Sequence, residues 1–492
     1  MGRWHVPADN LQEFVKELRR GGELVDVREP VSAKFEITEI ADRVMKRTGP
    51  ALLFHNVQGS DYPLLINAFG SKRRMANALG VSDLNDVGSR IEELLELTKG
   101  PGKGFMAKLQ LLPRLREISR FPPRAVNRAP CREVVYRDDE IDLERLPVQT
   151  CWPEDGGPFV TLTMVHTQDP ETGERNAGMY RVQRFDKRTV GLHWQRHKTG
   201  AAHFEKAKKL GQRLPVAITL GGDPATIYSA SAPLPPGISE FVFAGFLRKE
   251  PVKLIKCLTN DLEVPAEAEI VIEGYTDPEE PLTLEGPFGD HTGFYSLADY
   301  YPAMHVTAVT TRRNAIYPST IVGRPPMEDA WLGYATERIF LPLTRLMLPE
   351  VVNYHMPPEG IFHNLVFVSI DKQYPGHAMK VGAGMLGLGL MSLAKMIVIL
   401  DSDVNVEDTS EAWWVTLNNI DPERDIRMLP GPIDVLDHSS RAFSYGSKMI
   451  VDATKKWPEE GFTREWPEKI VMSEDIKKLV DEKWARSGIP LD

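Results

Sequence analysis

The chain is poor in cysteine: Cys131, Cys151 and Cys257 are the only three in 492 residues. Three widely spaced thiols build neither a disulfide framework nor a C-x-x-C metal site, which points to a reducing compartment. Long hydrophobic runs are also missing. The longest apolar stretch, Val381 to Leu400, is interrupted by Gly382, Gly384, Gly387, Gly389 and Lys395. It reads as a buried helix running into the strand MIVIL rather than as a membrane span. The N-terminal MGRWHVPADNLQEFVKELRR has no apolar signal-peptide core, and MGRWHV lacks the Ser or Thr of a myristoylation signal. The expectation is a cytoplasmic protein. No Lys/Arg block occurs either, and 59 basic against 69 acidic residues leave a net charge of −10. That balance excludes nucleic-acid backbone binding as the main task. With 42% hydrophobic, 26% charged and 8% aromatic residues, disordered and fibrous classes are excluded, and the length suits about three domains.

The common catalytic signatures G-x-S-x-G, H-E-x-x-H and Walker A are absent. Two motifs that do occur fail on context. Gly382-Ala-Gly384-Met-Leu-Gly387 spells G-x-G-x-x-G and suggests a nicotinamide- or flavin-dependent reductase or dehydrogenase. A dinucleotide site needs the first glycine directly after a strand, whereas NLVFVSI ends about a dozen residues earlier. A glycine-faced helix packed on a sheet is the better reading. Asp401-Ser-Asp403-Val-Asn405 opens like a calcium loop, but Val406 and Ala412 stand where Gly and Glu are required. A strand-end cap accounts for it.

Periodicity divides the chain into α/β, β-rich and α/β parts. Residues 1–125 alternate helical patterns (10–20, 37–47, 85–97, 108–118) with the extended runs ELVDV, ALLFHNV and PLLINAF. A Pro-rich stretch near 120–130 marks a boundary. Residues 126–325 carry the short β runs REVVY, FVTLTMVHT, AGMYRVQRF, TVGLHW, LPVAITL, EAEIVIEGY and MHVTAVTT, with a helix at 239–247. This pattern suggests a barrel-like β domain. Residues 326–470 return to α/β, with a helix at 337–348 and strands NLVFVSI and MIVIL, and 471–492 hold an amphipathic terminal helix.

Three stretches of the β-rich part are denser in polar residues than core strands should be. Asn176-Ala-Gly-Met-Tyr-Arg181 is followed by His193-Trp194-Gln195-Arg196-His197-Lys198-Thr199. Such a pair of strands offers metal ligands and phosphate donors, or else a solvated sheet face. Positions 176 and 181 are an odd number apart, so one regular strand points them to opposite faces unless a bulge intervenes. Glu240 follows a plausible N-cap, Ser239, and serves either the helix dipole or a divalent cation. Glu285-Gly-Pro-Phe-Gly-Asp290 sets two carboxylates on a loop that is neither helix nor regular strand. Pairing pushes one carboxyl pKa up to make a proton donor, and an Arg between them would hold one ionised and grip a substrate carboxylate. A turn whose Asp caps its own backbone is the alternative.

NAGMYRVQ, TCWPEDGGP, LGGDPATIYSA, CLTNDLEVPAEAEIVIEGY, LEGPFGDHTGFY, STIVGRPPMED and DVNVED together resemble the UbiD family of nonoxidative decarboxylases, with most likeness to bacterial 3-polyprenyl-4-hydroxybenzoate decarboxylases. The resemblance covers nearly the whole chain. It implies a split β-barrel of flavin-reductase type, lying between α/β segments and binding prenylated FMN. A divalent cation, Mn²⁺ or Mg²⁺, bridges the flavin phosphate, with K⁺ nearby. By motif, Asn176, His197 and Glu240 resemble the metal ligands. Met179, Tyr180, Arg181, His193, Trp194, Gln195, Lys198 and Thr199 match the cofactor-binding segments. Arg181, Glu285 and Asp290 match the catalytic network, Asp290 being the proton donor where some relatives carry Glu. The implied reaction is reversible decarboxylation of an aromatic acid through a covalent prenylated-FMN adduct. The implied substrate is a 4-hydroxybenzoate of quinone biosynthesis, with a naphthoate or another unprenylated acid as the alternative. A non-catalytic flavin- or metal-binding protein is the competing class, but it has no reason to keep Arg181, Glu285 and Asp290 together. The resemblance further implies a flavin prenyltransferase as cofactor supplier and a homo-oligomer, dimer or hexamer. Peripheral contact with the inner membrane stays open.

Overall fold

The computed structural model describes residues 7–98, 116–195, 198–235 and 237–488. The helix expected at 108–118 falls mostly outside these residues, as does His197. The N-terminal helix Leu11–Arg20 starts where the Asn10 side chain accepts the Glu13 N–H at 3.0 Å. It buries Leu11, Phe14, Val15 and Leu18, the face that its periodicity marks. Beside it lies a four-stranded sheet of Leu24–Val27, Ala51–Phe54, Leu64–Ile66 and Tyr317–Pro318. The last strand comes from the far end of the β-rich part and pairs in parallel with Leu64 and Leu65, tying the two parts together.

The central sheet positions the site. Its strands run in the order Phe159–Val160, Val182–Arg184, Thr189–Leu192, Ala303–Thr311, Ile270–Thr276, Leu214–Leu220, Thr163–Gln168, Arg175–Gly178, and Val134–Arg137 pairs alongside Ala303–Thr311. Phe159–Val160 and Thr163–Gln168 are separated by two residues in sequence but by six strand steps in the sheet. Laid flat, those steps span roughly 29 Å, while the three steps from Val160 to Thr163 reach only about 10 Å. The sheet must therefore roll until its two ends approach. It makes an open, curled barrel with an apolar interior that includes Val165, Val182, Val190, Val216, Ile218, Ile272 and Met304.

Two expected strands are corrected by this roll. FVTLTMVHT breaks at Thr161-Leu162, and AGMYRVQRF breaks at Met179-Tyr180-Arg181, each half joining an opposite end of the sheet. Asn176 thus lies on strand Arg175–Gly178 and Arg181 in the crossing segment just before Val182–Arg184, which removes the parity conflict without a bulge. Helices Thr199–Leu210 and Pro224–Ser229 had no clear apolar period to announce them.

Helix Asp329–Met347, starting earlier than its sequence pattern indicates, leads to a C-terminal sheet. Its strand order is Val351–His355, Leu365–Ile370, Met396–Asp401, Tyr445–Asp452, Ile426–Pro432. The G-x-G-x-x-G motif lies mostly inside helix His377–Met385, where a Cβ on Gly382 would stand 2.4 Å from Ile450 Cγ2. Its glycine serves close helix–sheet packing, as read from the sequence. Asp401 ends its strand by accepting the Lys455 N–H at 2.7 Å. Helix Glu474–Ser487 leaves Ile476, Leu479 and Val480 exposed. Among the described residues no helix is long and apolar enough to cross a membrane, and the three cysteines are buried and free.

Candidate active site

The open seam of the barrel brings the sequence-selected residues together. Met179, Tyr180 and Arg181 cross from one end of the sheet to the other. The Met179 N–H donates to Ala230 O at 2.8 Å, and the Thr163 hydroxyl donates to the Tyr180 carbonyl. With its backbone held at both positions, Arg181 projects into the seam with its side chain only 7% exposed.

The carboxylates arrive from an irregular hairpin. Thr283–Glu285 pairs with Asp299–Tyr301, and Phe288–Gly289 pairs with Tyr295–Ser296. The chain kinks between these two ladders at Gly286, whose φ of 90° suits glycine. The Gly286 N–H donates to Gln183 Oε1, and the Gly289 N–H to Asp155 Oδ1, both at 2.8 Å. The kink turns Glu285 and Asp290 toward the same guanidinium. Arg181 Nε and Nη2 donate to Glu285 at 2.8 and 3.0 Å, and Nη1 donates to Asp290 Oδ2 at 2.5 Å. Nη2 also reaches Ser296 Oγ at 3.0 Å, and the Phe288 ring lies 4.7 Å from the guanidinium carbon.

The electrostatics differ from the sequence expectation. Burial acts to raise the Glu285 pKa, but hydrogen bonds from His193 and Arg181 outweigh it, and the value falls. For Asp290 burial is likewise outweighed, by the His291 hydrogen bond and the Arg181 charge, so its carboxyl lies far below the usual range. Neither acid is raised by the other, because Arg181 stands between them and pairs with both. Burial favours the neutral form of Arg181, yet the Glu285 hydrogen bond and the two carboxylate charges raise its pKa.

His193, expected among the cofactor-binding residues, lies 3.1 Å from Glu285 Oε2 through Nδ1 and packs against Tyr301 at 4.5 Å. It buttresses the acid. Trp194 is buried, and its Nε1 has no hydrogen-bond partner. Gly200, in the first turn of helix Thr199–Leu210, lies against that indole. Gln195 closes the turn by accepting the Lys198 N–H at 2.9 Å. Lys198 is the N-cap of that 12-residue helix and Thr199 its exposed first residue. Burial lowers the Lys198 pKa, with Asp434 of the C-terminal part acting against it. A partly buried lysine at the N-cap, on a helix whose first turn packs against an unsatisfied indole N–H, can hold an anion such as a flavin phosphate.

Glu240 reaches the strand that carries Asn176. Glu240 opens helix Glu240–Arg248, and its Oε2 accepts the N–H of Ala177, next to Asn176, at 3.3 Å. Burial raises the Glu240 pKa to about 7. A carboxylate desolvated without a cation can take a divalent metal, and Asn176, whose Nδ2 donates to Thr167 Oγ1 at 3.4 Å, precedes the residue whose N–H Glu240 accepts. Among the described residues no three His, Cys, Asp or Glu side chains form a group able to hold a metal ion.

The chain matches three family models in order. They are the N-terminal (15–94), Rift-related (124–325) and C-terminal (330–453) domains of 3-octaprenyl-4-hydroxybenzoate carboxy-lyase. The chain belongs to the UbiD family. An uncharacterized protein of Aquifex aeolicus is 54% identical over 482 residues, 98% of this chain and 99% of the relative. The UbiD-class enzyme HmfF of Pelotomaculum thermopropionicum, in complex with FMN, is 30% identical with a TM-score of 0.79, covering 96% of this chain and 99% of its own. The closed form of Sedimentibacter hydroxybenzoicus vanillic acid decarboxylase is 28% identical with a TM-score of 0.83, covering 98% and 99%. UbiD membership makes this chain a decarboxylase of a flavin-using class.

Sequence reasoning on this UbiD chain missed several neighbours of the site. Asp155 accepts three backbone N–H groups from Cys151, Trp152 and Gly289 and pins the hairpin. Ser296 shares the Arg181 guanidinium. His291 and, from the C-terminal part, His363 adjoin Asp290. Asp329 is raised to about 7 by burial. TCWPEDGGP, GDHTGFY and GRPPMED carried Asp155, His291 and Asp329 in view. Nothing in the local sequence said that they would converge.

Proposed function

We propose that this UbiD-family chain removes the carboxylate of an aromatic acid without net oxidation, using prenylated FMN seated at the barrel seam. The observation that carries this is Arg181 buried between Glu285 and Asp290. A storage or assembly protein would have no use for such a set. Asn176 and Glu240, with His197, would hold the divalent cation, Mn²⁺ or Mg²⁺, while Lys198, Thr199 and Trp194 would hold the flavin phosphate. Met179 and Tyr180 would contact the bound flavin, and K⁺ would accompany the divalent cation.

When bound, the prenylated flavin supplies an electron sink for the pair left behind as CO₂ departs. Arg181 receives the substrate carboxylate, and Glu285, steadied by His193, keeps the guanidinium in place. The incoming anion competes for Arg181 and adds negative charge beside Asp290. Both effects raise the Asp290 pKa toward the range in which it can carry a proton. Asp290 then protonates the carbon. Burial of all three side chains keeps water from the reacting centre.

A phenolic acid of the 4-hydroxybenzoate type, prenylated or bare, is the substrate we favour. Decarboxylation of vanillic acid, a 4-hydroxybenzoate, by a 28%-identical neighbour supports it. A naphthoate is the second reading. A flavin prenyltransferase supplies the cofactor, and the chain works as a homo-oligomer. The test is co-expression with such a prenyltransferase, then absorbance and mass of the extracted cofactor and a CO₂-release screen of aromatic acids. A holoprotein that carries prenylated flavin yet releases CO₂ from none of them sinks the reading.

A further inference from the structure

Asp290 Oδ1, the oxygen that Arg181 leaves free, meets the His291 backbone N–H at 2.8 Å and His291 Nδ1 at 2.9 Å. The opposite nitrogen of the same ring, Nε2, lies 3.1 Å from Nε2 of His363. His291 belongs to the barrel hairpin, whereas His363 precedes strand Leu365–Ile370 of the C-terminal sheet. The three side chains form one hydrogen-bonded line across the boundary between these parts. Phe362 stacks on the His291 ring with centroids 5.5 Å apart and fixes its plane. Beyond His363 stands Asn364. Neither His363 Nδ1 nor Asn364 Oδ1 has a hydrogen bond of ordinary geometry, and one entering water would satisfy both. The His363 side chain is partly exposed but its Nδ1 is buried, so a proton enters the line through one such water and ends at the acid.

The reaction consumes one proton per turnover, since R–COO⁻ plus H⁺ gives R–H and CO₂. Asp290 hands that proton to carbon and must be refilled inside a buried site. We propose that His363 and His291 are the relay that refills it. His363 passes the proton on its Nε2 to His291 Nε2, His291 passes the proton on its Nδ1 to Asp290 Oδ1, and His363 regains one at Nδ1 from water. Each ring gains one proton and loses one, then returns to its starting tautomer by exchange with water before the next cycle. The inference rests on the decarboxylase reading above. Both histidines act through Asp290 and are positioning residues. The charges around them are Asp290, Asp329 and Asp434 at His291, and Asp434 and Asp437 at His363, with Arg181 behind Asp290. Burial works against the His291 cation but Asp290 raises its pKa; burial and the His291 charge hold His363 down.

The test is a pH titration of ¹⁵N-histidine-labelled full-length protein by long-range ¹H–¹⁵N NMR. Asp290→Asn is expected to lower the His291 pKa, and His291→Gln to raise that of His363. Unchanged curves in both variants would overturn the relay. In the holoenzyme, with 3,4-dihydroxybenzoate as probe, His363→Ala is expected to lower kcat about 10-fold at constant KM, and added imidazole to restore it. No loss, or a loss that imidazole does not rescue, also overturns it. The titrations need no turnover, so coupled titrations in an enzyme inactive on every acid tested would overturn the reaction assignment and leave the proton pair standing.

Discussion

Arg181 and Glu285 face each other through two parallel hydrogen bonds, Nε to Oε1 at 2.8 Å and Nη2 to Oε2 at 3.0 Å. A planar guanidinium fits a carboxylate in this fork, and an ammonium cannot. The same plane leaves Nη1 for Asp290, so one rigid group sets the position of both acids.

Arg181→Lys should therefore be far from conservative. It removes the fork and leaves Glu285 buried with weaker compensation, costing about 2–4 kcal/mol in denaturant-unfolding free energy. In the holoenzyme kcat/KM should fall about 100-fold or more. A variant within a factor of two of the parent in both measurements would refute the assigned role.

Asp290→Asn keeps the shape of the acid and removes its proton. CO₂ release should drop by about 100-fold to 10,000-fold, while the flavin absorbance of the purified protein stays at the parental level. Parental turnover would show that another group protonates the carbon.

Asp329 gives a pH prediction of definite sign. Its folded pKa is about 7, raised by burial from 3.8. As pH climbs from near 4 to 7 the unfolded chain ionises this group and the folded chain does not, so stability is lost across that window and levels off above it. Asp329→Asn should flatten the fall, by up to roughly 4 kcal/mol. Unfolding free energies at pH 4.5 and 7.5 read the difference, and an identical slope in parent and variant would contradict the burial.

Glu240→Gln and Asn176→Ala should lower the divalent metal content measured by elemental analysis, and Lys198→Met should lower flavin retention after gel filtration. Metal loss of about 10-fold or more is expected when a ligating carboxylate becomes an amide. Full metal occupancy in Glu240→Gln would return Glu240 to a plain helix-dipole role.

Gly382→Val tests the G-x-G-x-x-G from the packing side. Its Cβ would lie 2.4 Å from Ile450 Cγ2, so a loss of about 1–3 kcal/mol in stability is expected. Flavin content and catalysis should hold in the fraction that remains folded.

Local patterning made much of the fold legible. The Leu11–Arg20 helix has a cap, a clean apolar face and a glycine stop, and Leu214–Leu220 and Ile270–Thr276 are strongly β-forming runs. The breaks at Thr161-Leu162 and Met179–Arg181 were hidden, because the residues there continue a strand-like composition. Only closure of a rolled sheet forces the chain to cross the seam. Arg181, Glu285 and Asp290 could be selected by residue type and motif. His291 and His363 could not be paired, since 72 residues separate them.

The −10 net charge, the three scattered cysteines and the family motifs are properties of the sequence alone, and they settled the class of protein and most of the candidate residues. The tertiary structure decided what those residues are to one another. A carboxylate in sequence has an ordinary pKa. Asp290 is driven down by Arg181 and His291, while Asp329 is driven up by burial with little to oppose it. Desolvation and charge pairing depend on distances of a few ångströms between segments far apart in the chain, and folding alone sets those distances.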